Sequence, residues 1–254
     1  MERALRARRD GGAKLLVPYV MAGMTDDWVE VLQAIALAGA DAIEVGLPFS
    51  DPMMDGPVIQ AAGIAALERG TTVHGALDQL STAELPIPIA VMTYYNLVFR
   101  AGHRRFARSL ADAGVSSAIV PDLSLEELGP WAEAADWGEI ETVLMVAPST
   151  PADRAAAIAA RSRGFLYAVA RMGVTGERTA LGSDAAEVVA KVRAVSDLPI
   201  CSGIGISTPE QARQVCEVAD GVVVGSALVR RLLDGAGPEG AAEFVGELRG
   251  ALGP

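Results

Sequence analysis

The feature that most constrains the fold of this chain is the alternation of short β-branched runs with longer segments whose apolar residues recur at helical spacing. Strands that alternate with helices are typical of parallel sheets, in which each helix crosses over between neighbouring strands. Eight parallel strands close a barrel. We predict eight strands, at 15–21, 42–47, 87–94, 117–120, 142–147, 165–170, 200–204 and 221–224.

The sequence therefore predicts an α/β protein with a TIM (β/α)8 barrel, formed as one domain over residues 1–254. No Pro/Ser-rich linker interrupts the pattern, and 51% hydrophobic residues are enough for a deep core. A doubly wound open sheet has much the same local pattern, and periodicity alone does not separate the two folds. No G-x-G-x-x-G follows the first strand, which favours the barrel.

Helical spacing is clearest between the first two strands. There it predicts a helix over 28–35, with Thr25 as the candidate N-cap and Gly39 as the stop. The Arg-rich start of the chain is interpreted as a further helix, exposed to solvent. Similar patterns predict helices at 58–67, 106–110, 125–137, 154–160, 185–195 and 209–218.

Charge and composition exclude several classes of protein. A net charge of −11 works against binding to nucleic acid or to anionic lipid. No apolar run approaches the roughly 18 residues that cross a bilayer, and no secretory signal is recognised, so we expect a cytoplasmic protein. Cys201 and Cys216 are far apart and are expected to be buried, reduced thiols. With only His74 and His103 as histidines, we predict no metal site.

A carboxylate inside an apolar strand is the first chemical signal. Glu44 stands in the second predicted strand, and burying a lone carboxylate there is costly. Because side chains alternate along a strand, Glu44 points into the barrel mouth if Ile43 and Val45 pack against helices. The alternative is a buried Glu paired with an Arg or Lys from another strand.

A second carboxylate, Asp55, follows in a Pro-rich loop ahead of a helix. Taken alone, Asp-Gly-Pro is more often a turn and helix cap than a catalytic group. One sheltered and one loop-borne carboxylate from the same strand-loop unit nevertheless form a reasonable acid/base pair at the end of the barrel where active sites lie.

Glycine loops follow the last two predicted strands, at 203–207 and 224–227, and each leads to a helix. Loops in these positions are the usual phosphate site of such barrels, because free amides and the helix dipole favour an anion. Either loop alone is also explained as a tight turn. A third glycine-containing segment, 171–178, follows the sixth strand and has the length of a lid.

The stretch EVGLPFSDPMMDGPVIQ, residues 44–60, resembles the signature of the tryptophan synthase alpha subunit family. The motifs at 94–99, 173–176, 203–207 and 225–226 resemble that family in the same order, and the similarity extends from about 16 to about 229. The resemblance implies that Glu44 and Asp55 are the two catalytic residues.

The resemblance also implies the remaining site residues. Tyr167 would lie beside Glu44, and Thr175 would move with the lid to meet Asp55. The residues implied to hold the substrate phosphate through backbone amides are Gly176, Gly205, Gly225 and Ser226. Those implied to surround the indole ring are Tyr19, Tyr94, Ile119 and Ile204.

The reaction that the resemblance implies is a retro-aldol cleavage of indole-3-glycerol phosphate to indole and glyceraldehyde 3-phosphate, a carbon–carbon lyase reaction of tryptophan biosynthesis. It needs no cofactor in this chain. In the family the alpha chain docks on a beta subunit that carries pyridoxal phosphate (PLP), in an α2β2 assembly. Asp51, Met53 and Met54 are the residues we expect at that contact, with packing inside the loop as the alternative for the two methionines.

Three other functions stay open at this point. They are a stand-alone lyase that releases indole, a catalytically weak activator of the beta subunit, and another sugar-phosphate barrel enzyme. Intact Glu44 and Asp55 argue against the activator, and the signature argues against the third. The chain departs from the family at Met24-Thr25, where Asp-Pro is usual, and at Ile204, where phenylalanine is common.

Overall fold

The computed structural model describes residues 1–169, 180–203 and 205–253, with the side chains of 180–184 left undescribed. Its eight strands pair in parallel in sequence order, and the last pairs with the first, so they form a closed barrel. The predicted TIM barrel is therefore confirmed. The strands are β1 (Leu15–Met21), β2 (Ile43–Gly46), β3 (Ile89–Met92), β4 (Ser117–Ile119), β5 (Glu141–Val146), β6 (Leu166–Val169), β7 (Ile200–Gly203) and β8 (Gly221–Val224).

Helices surround the barrel. In the described part of the chain they are α1 (Glu2–Asp10), α2 (Trp28–Leu37), α3 (Pro57–Glu68), α4 (Val73–Ser81), α5 (Tyr95–Ala101), α6 (His103–Asp112), α7 (Gly129–Trp137), α8 (Ala152–Arg161), α9 (Ala180–Arg193), α10 (Pro209–Cys216), α11 (Ser226–Leu233) and α12 (Gly237–Leu252). None of them has both the length and the apolar character needed to cross a bilayer.

The buried side chains form one layer between strands and helices and a second layer inside the barrel. Ile43 and Val45 belong to the first layer, whereas Ala42 belongs to the second. Because side chains alternate along a strand, Glu44 shares the Ala42 face and points into the barrel. Cys201 and Cys216 are buried and free, as expected.

The first helix closes the N-terminal end of the barrel. The predicted helix is present, but it is not wholly solvated, because Leu5 is fully buried in the barrel-interior layer with Leu15 and Phe165. Arg6 donates to the Asp197 carboxylate at 2.7 Å, which ties the exposed side of α1 to the segment before β7. The sequence could not indicate this because a single apolar residue on a charged helix has no periodic pattern.

The capping residue of α2 and the start of α7 differ from the prediction. Thr25 does not cap α2, because residues 22–27 form turns and the helix begins at Trp28 after Asp27. Gly39 does follow the end of that helix, with a φ of 107° that suits glycine. The helix predicted at 125–137 begins only at Gly129, and Pro130 occupies its first turn, where the missing N–H of proline costs no hydrogen bond.

Candidate active site

Glu44 is a nearly fully buried carboxyl group inside the barrel, with 1% of the residue exposed. Its Oε2 atom has no hydrogen-bond partner among the described residues, and no cation there lowers its pKa. Burial, followed by the nearby Asp55, raises the pKa of Glu44 to about 8. The alternative interpretation was a buried ion pair between Glu44 and an Arg or Lys. No such partner is found in the described part of the structure.

Asp55 lies on the loop between β2 and α3 and is half-buried. The helix begins at Pro57 after Gly56 and receives no side-chain cap, so Asp55 does not serve as its N-cap. Burial raises the pKa of Asp55, and a hydrogen bond with the Tyr94 hydroxyl lowers it. The two effects oppose each other, so this carboxyl is less biased towards its neutral form than Glu44 is.

Tyr94, which lies between β3 and α5, contacts the loop that carries Asp55. Its hydroxyl accepts a hydrogen bond from the backbone N–H of Met54 at 2.9 Å and also bonds to the Asp55 carboxylate. Its ring stacks on Phe49, with ring centroids 5.1 Å apart and an interplanar angle of 26°. One side chain therefore contacts the start of the loop, its end and the carboxylate.

A cavity of about 240 Å³ joins the two carboxylates at the C-terminal end of the barrel. This volume suits a small molecule, and this is the end of the barrel where active sites of the fold lie. The lining residues are Tyr19, Glu44, Met54, Asp55, Gly56, Ile59, Met92, Pro121, Met145, Tyr167, Val169, Gly203, Gly205, Val223, Gly225 and Ser226.

The start of α11 forms one side of this cavity. Gly225 precedes the helix and Ser226 is its first residue, and both line the cavity together with Gly205, whose φ is 71°. The first N–H groups of a helix have no acceptor within it, and the helix dipole favours an anion beside them. None of the described residues that line the cavity is Lys or Arg. The backbone N–H groups at the start of α11 are therefore the groups in the cavity that suit a phosphate.

The structure brings together most, but not all, of the implied site residues. Tyr19, Tyr167, Gly205, Gly225 and Ser226 line the cavity with the two carboxylates. Thr175, Gly176 and Ile204 lie outside the described residues.

Two residues implied to surround the indole ring are not among the residues that line the cavity. Tyr94 interacts with Asp55 and is not itself a lining residue. Ile119 is fully buried in the barrel interior and does not reach the cavity, because it ends the short strand β4 and Pro121 lines the wall beyond it.

Two methionines of the cavity wall, Met92 and Met145, were not among the predicted site residues. Met92 follows Ala90 and Met145 follows Val143 on the faces of β3 and β5 that point inward. The same period-2 argument that placed Glu44 would have found both, since each stands at the C-terminal end of its strand. They give the cavity an apolar, adaptable wall suited to an aromatic ring.

The residues expected at a partner contact lie on the outside of the same loop. Met53 is 80% exposed and Met54 is 59% exposed, so packing inside the loop does not cover them. Asp51 is exposed as well, and its carboxylate accepts a hydrogen bond from the Ser50 hydroxyl at 2.5 Å. Met54 also lines the cavity, which places the exposed surface and the site on one segment.

The chain is similar to known proteins over nearly its whole length. The family model described as tryptophan synthase alpha chain matches residues 5–247. The tryptophan synthase alpha chain of a Picosynechococcus species is 44% identical over 97% of each chain, and that of Streptomyces avermitilis is 41% identical over 98% of this chain and 91% of the relative. A solved structure of Mycobacterium tuberculosis tryptophan synthase matches 98% of this chain and 96% of that chain, with a TM-score of 0.90 and 39% identity.

The fold and the site define a TIM-barrel enzyme in which a buried carboxylic acid faces a second carboxylate across a small cavity. The chain belongs to the tryptophan synthase alpha chain family. The resemblance seen in the sequence is confirmed, and so is the lyase of tryptophan biosynthesis that it implied.

Proposed function

We propose that Glu44 and Asp55 carry out the cleavage of indole-3-glycerol phosphate as an acid/base pair. The observation that carries this proposal is the buried Glu44 carboxyl, whose Oε2 has no described partner and whose pKa is raised to about 8. Such a group is still largely protonated at neutral pH and can both give and take a proton. A partly exposed carboxylate, Asp55, lines the same cavity.

In the first step the substrate's indole ring is protonated at C3. Glu44 delivers this proton while Asp55 accepts the proton of the indole N–H, so electrons move from nitrogen towards C3. The product of the step is a tautomer in which C3 is tetrahedral. Indole has thereby become a leaving group, Glu44 is ionised and Asp55 is protonated.

In the second step Glu44 acts as a base. Its carboxylate takes the proton of the glycerol hydroxyl next to C3, the carbonyl of glyceraldehyde 3-phosphate forms, and the bond from this carbon to C3 breaks. The electrons of that bond restore the aromatic ring, and Asp55 returns its proton to the nitrogen. Both carboxyl groups end the cycle in their starting states.

The rest of the cavity fits the substrate. The amides around Gly205, Gly225 and Ser226 suit its phosphate, since the N-terminus of α11 favours an anion. Tyr19, Tyr167 and the methionines Met92 and Met145 supply aromatic and apolar wall for the indole ring. Thr175, Gly176 and Ile204 complete the site in this proposal.

The proposal also includes a partner protein that binds the loop carrying Asp55. Met53, Met54 and Asp51 form an exposed surface on the Asp55 loop, and we assign it to contact with a tryptophan synthase beta subunit in an α2β2 assembly. PLP belongs to that partner, and this chain needs no cofactor for the proton transfers above. Docking on this loop would act directly on the position of Asp55.

Indole release tests the proposal. The purified chain is given indole-3-glycerol phosphate alone and then with a tryptophan synthase beta subunit, and indole is measured by absorbance after extraction. We expect release in both conditions and strong stimulation by the partner. A Met53→Ser/Met54→Ser variant should lose the stimulation.

The control is Leu37→Ser, which changes an equally exposed apolar residue at the end of α2. Fast release that ignores the beta subunit would replace the proposal with a stand-alone lyase. No release in either condition from a folded chain would contradict the reaction itself.

A further inference from the structure

Tyr19 is an aromatic side chain that lines the cavity together with both carboxylates. It stands opposite Glu44 in the register of β1 and β2, and it is 5% exposed. Tyr19, Glu44 and Asp55 all line the cavity. Both carboxylates act on the pKa of the Tyr19 hydroxyl, which burial raises well above its usual range.

Gly46 gives the tyrosine its position. It follows Glu44 by two residues on β2, so both share the inward face. A Cβ at position 46 would lie 1.9 Å from the Tyr19 hydroxyl oxygen and 2.5 Å from the ring carbon that bears it. The hydroxyl therefore occupies the space that any side chain at 46 would fill, one inward position beyond Glu44 towards the Asp55 loop.

The hydroxyl has little to bond to in the described structure. Its one recorded acceptor there is the Met21 sulfur at 3.9 Å, and a thioether is a weak acceptor. Oε2 of Glu44 has no described partner at all. A weakly bonded donor and an unpartnered acceptor in one buried cavity are unusual, because buried polar groups are nearly always hydrogen-bonded.

We propose that Tyr19 is a positioning residue whose hydroxyl donates a hydrogen bond to the Glu44 carboxylate once that group has given up its proton. The inference rests on the proposed function, in which Glu44 becomes ionised in a site without a described cation. The ionised carboxylate then needs a hydrogen-bond donor. The Tyr19 hydroxyl on the neighbouring strand β1 is available, because Gly46 has no side chain to fill the space that the hydroxyl occupies. Protonated Glu44 needs no such bond, which explains the weak contact of the hydroxyl with Met21.

The other titratable groups that face Glu44 come from three elements. Asp55 on the loop raises the pKa of Glu44, and Tyr167 on β6 and Cys201 on β7 both interact with its charge. Burial raises the pKa of Tyr167 and of Cys201 well above their usual ranges, so both are neutral near pH 8. In this pH range the titration of Glu44 is therefore set first by burial and then by Asp55, and neither Tyr167 nor Cys201 adds a charge to it.

The test is the pH dependence of kcat/KM for indole release by the full chain with Tyr19→Phe. In the unchanged chain kcat/KM should fall as pH rises through the pKa of Glu44, which burial and Asp55 raise well above the usual range of a carboxyl group. Removing a bond to the charged form should move this alkaline limb up by about one pH unit. It should lower kcat about tenfold, with KM little changed, because the bond forms only after Glu44 ionises.

Tyr95→Phe is the matched control. It removes a tyrosine hydroxyl that bonds to His103 at 2.9 Å outside the cavity, and it should leave the profile unchanged. An alkaline limb that stays in place in folded Tyr19→Phe overturns the inference. So does a shift of the acid limb alone, which would assign the hydroxyl to Asp55, and so does loss of the alkaline limb, which would make Tyr19 the titrating group.

A second measurement separates this inference from the reaction itself. The Glu44 carboxyl is titrated by carbon-13 NMR in glutamate-labelled chain, and its signal is assigned by its absence from Glu44→Gln. Tyr19→Phe should raise its pKa by about one unit whether or not the chain cleaves the substrate. An unchanged titration overturns the role of Tyr19, whereas absent indole release from the unchanged chain overturns only the proposed function.

Discussion

At the scale of single residues, the site depends on two carboxyl groups that share a cavity but differ in surroundings. Glu44 is buried among apolar side chains inside the barrel, and its pKa is raised to about 8. Asp55 is half-buried, and its bond with Tyr94 opposes the effect of burial. When the surroundings of two carboxyl groups move their pKa values apart, the group with the higher pKa can act as the acid and the other as the base. Here Glu44 is the acid and Asp55 the base of the proposed first step.

The role of Tyr94 leads to a prediction about pH. Tyr94→Phe keeps the ring that stacks on Phe49 but removes the hydroxyl that bonds Asp55 and the Met54 amide. The pKa of Asp55 should rise further, because a bond that favours its ionised form is lost. Asp55 must be ionised to accept the indole proton, so the acid limb of kcat/KM should move up by about one pH unit.

The pH profile of indole release measures this shift, and Tyr95→Phe is again the control. An acid limb that stays in place in a folded Tyr94→Phe chain would mean that Asp55 titrates independently of this hydroxyl. The two tyrosine variants also separate the carboxylates, since Tyr94→Phe should move the acid limb and Tyr19→Phe the alkaline one.

At the scale of elements, sequence periodicity predicted the strands better than the helix ends. All eight strands were found because buried parallel strands are mostly apolar runs bounded by turns. The start of α7 was placed too early because apolar residues at 125 and 128 continue the helical spacing through turns. Helix ends depend on local backbone geometry, and apolar spacing does not encode it.

The same limit applies within the site. The position of Glu44 followed from alternation along a strand, but the contacts of Tyr94 and the burial of Ile119 depend on how loops fold over strand ends. Tyr94 stacks on Phe49 and accepts a hydrogen bond from the Met54 N–H, so it contacts two separate points of the loop after β2. The spacing of residues along the sequence does not predict these contacts of Tyr94.

The element that closes the barrel at its N-terminal end leads to a stability prediction. Leu5→Ala removes a fully buried side chain from the barrel interior and should lower the free energy of unfolding by about 2–5 kcal/mol. Thermal unfolding measures the loss. Activity per folded molecule should persist, since the cavity lies at the opposite end of the barrel.

Leu37→Ala is the control, because this leucine is 84% exposed and should change stability by no more than about 0.5 kcal/mol. Equal unfolding temperatures for Leu5→Ala and the unchanged chain would show that α1 does not close the barrel in solution.

At the scale of the whole molecule, one buried carboxylate joins both ends of the chain to the barrel. Asp41, directly ahead of β2, accepts from Arg8 of α1 at 2.7 Å, from Arg249 of α12 and from the backbone N–H of Leu16 at 2.8 Å. Its side chain is 3% exposed. Arg249 also donates to the Gly39 carbonyl, so α12 is fixed to the α2–β2 turn as well.

Asp41→Asn should therefore destabilise the molecule strongly. It leaves Arg249, whose side chain is 14% exposed, without its counter-charge, and removing one partner of a buried pair costs about 3–5 kcal/mol. The comparison is Asp112→Asn, which breaks the exposed pair with Arg108 and should cost less than about 1 kcal/mol. Similar melting temperatures for the two variants would rule out a structural role for the Asp41 cluster.

The central claim is that the buried Glu44 performs the proton transfers of the cleavage, and Glu44→Gln tests it most directly. Glutamine keeps the size of the side chain but neither gives nor takes the proton. Indole release from indole-3-glycerol phosphate should fall by at least about 100-fold, while the fold, read by circular dichroism and thermal unfolding, is kept. Indole release near the rate of the unchanged chain, from a folded Glu44→Gln protein, would contradict the account.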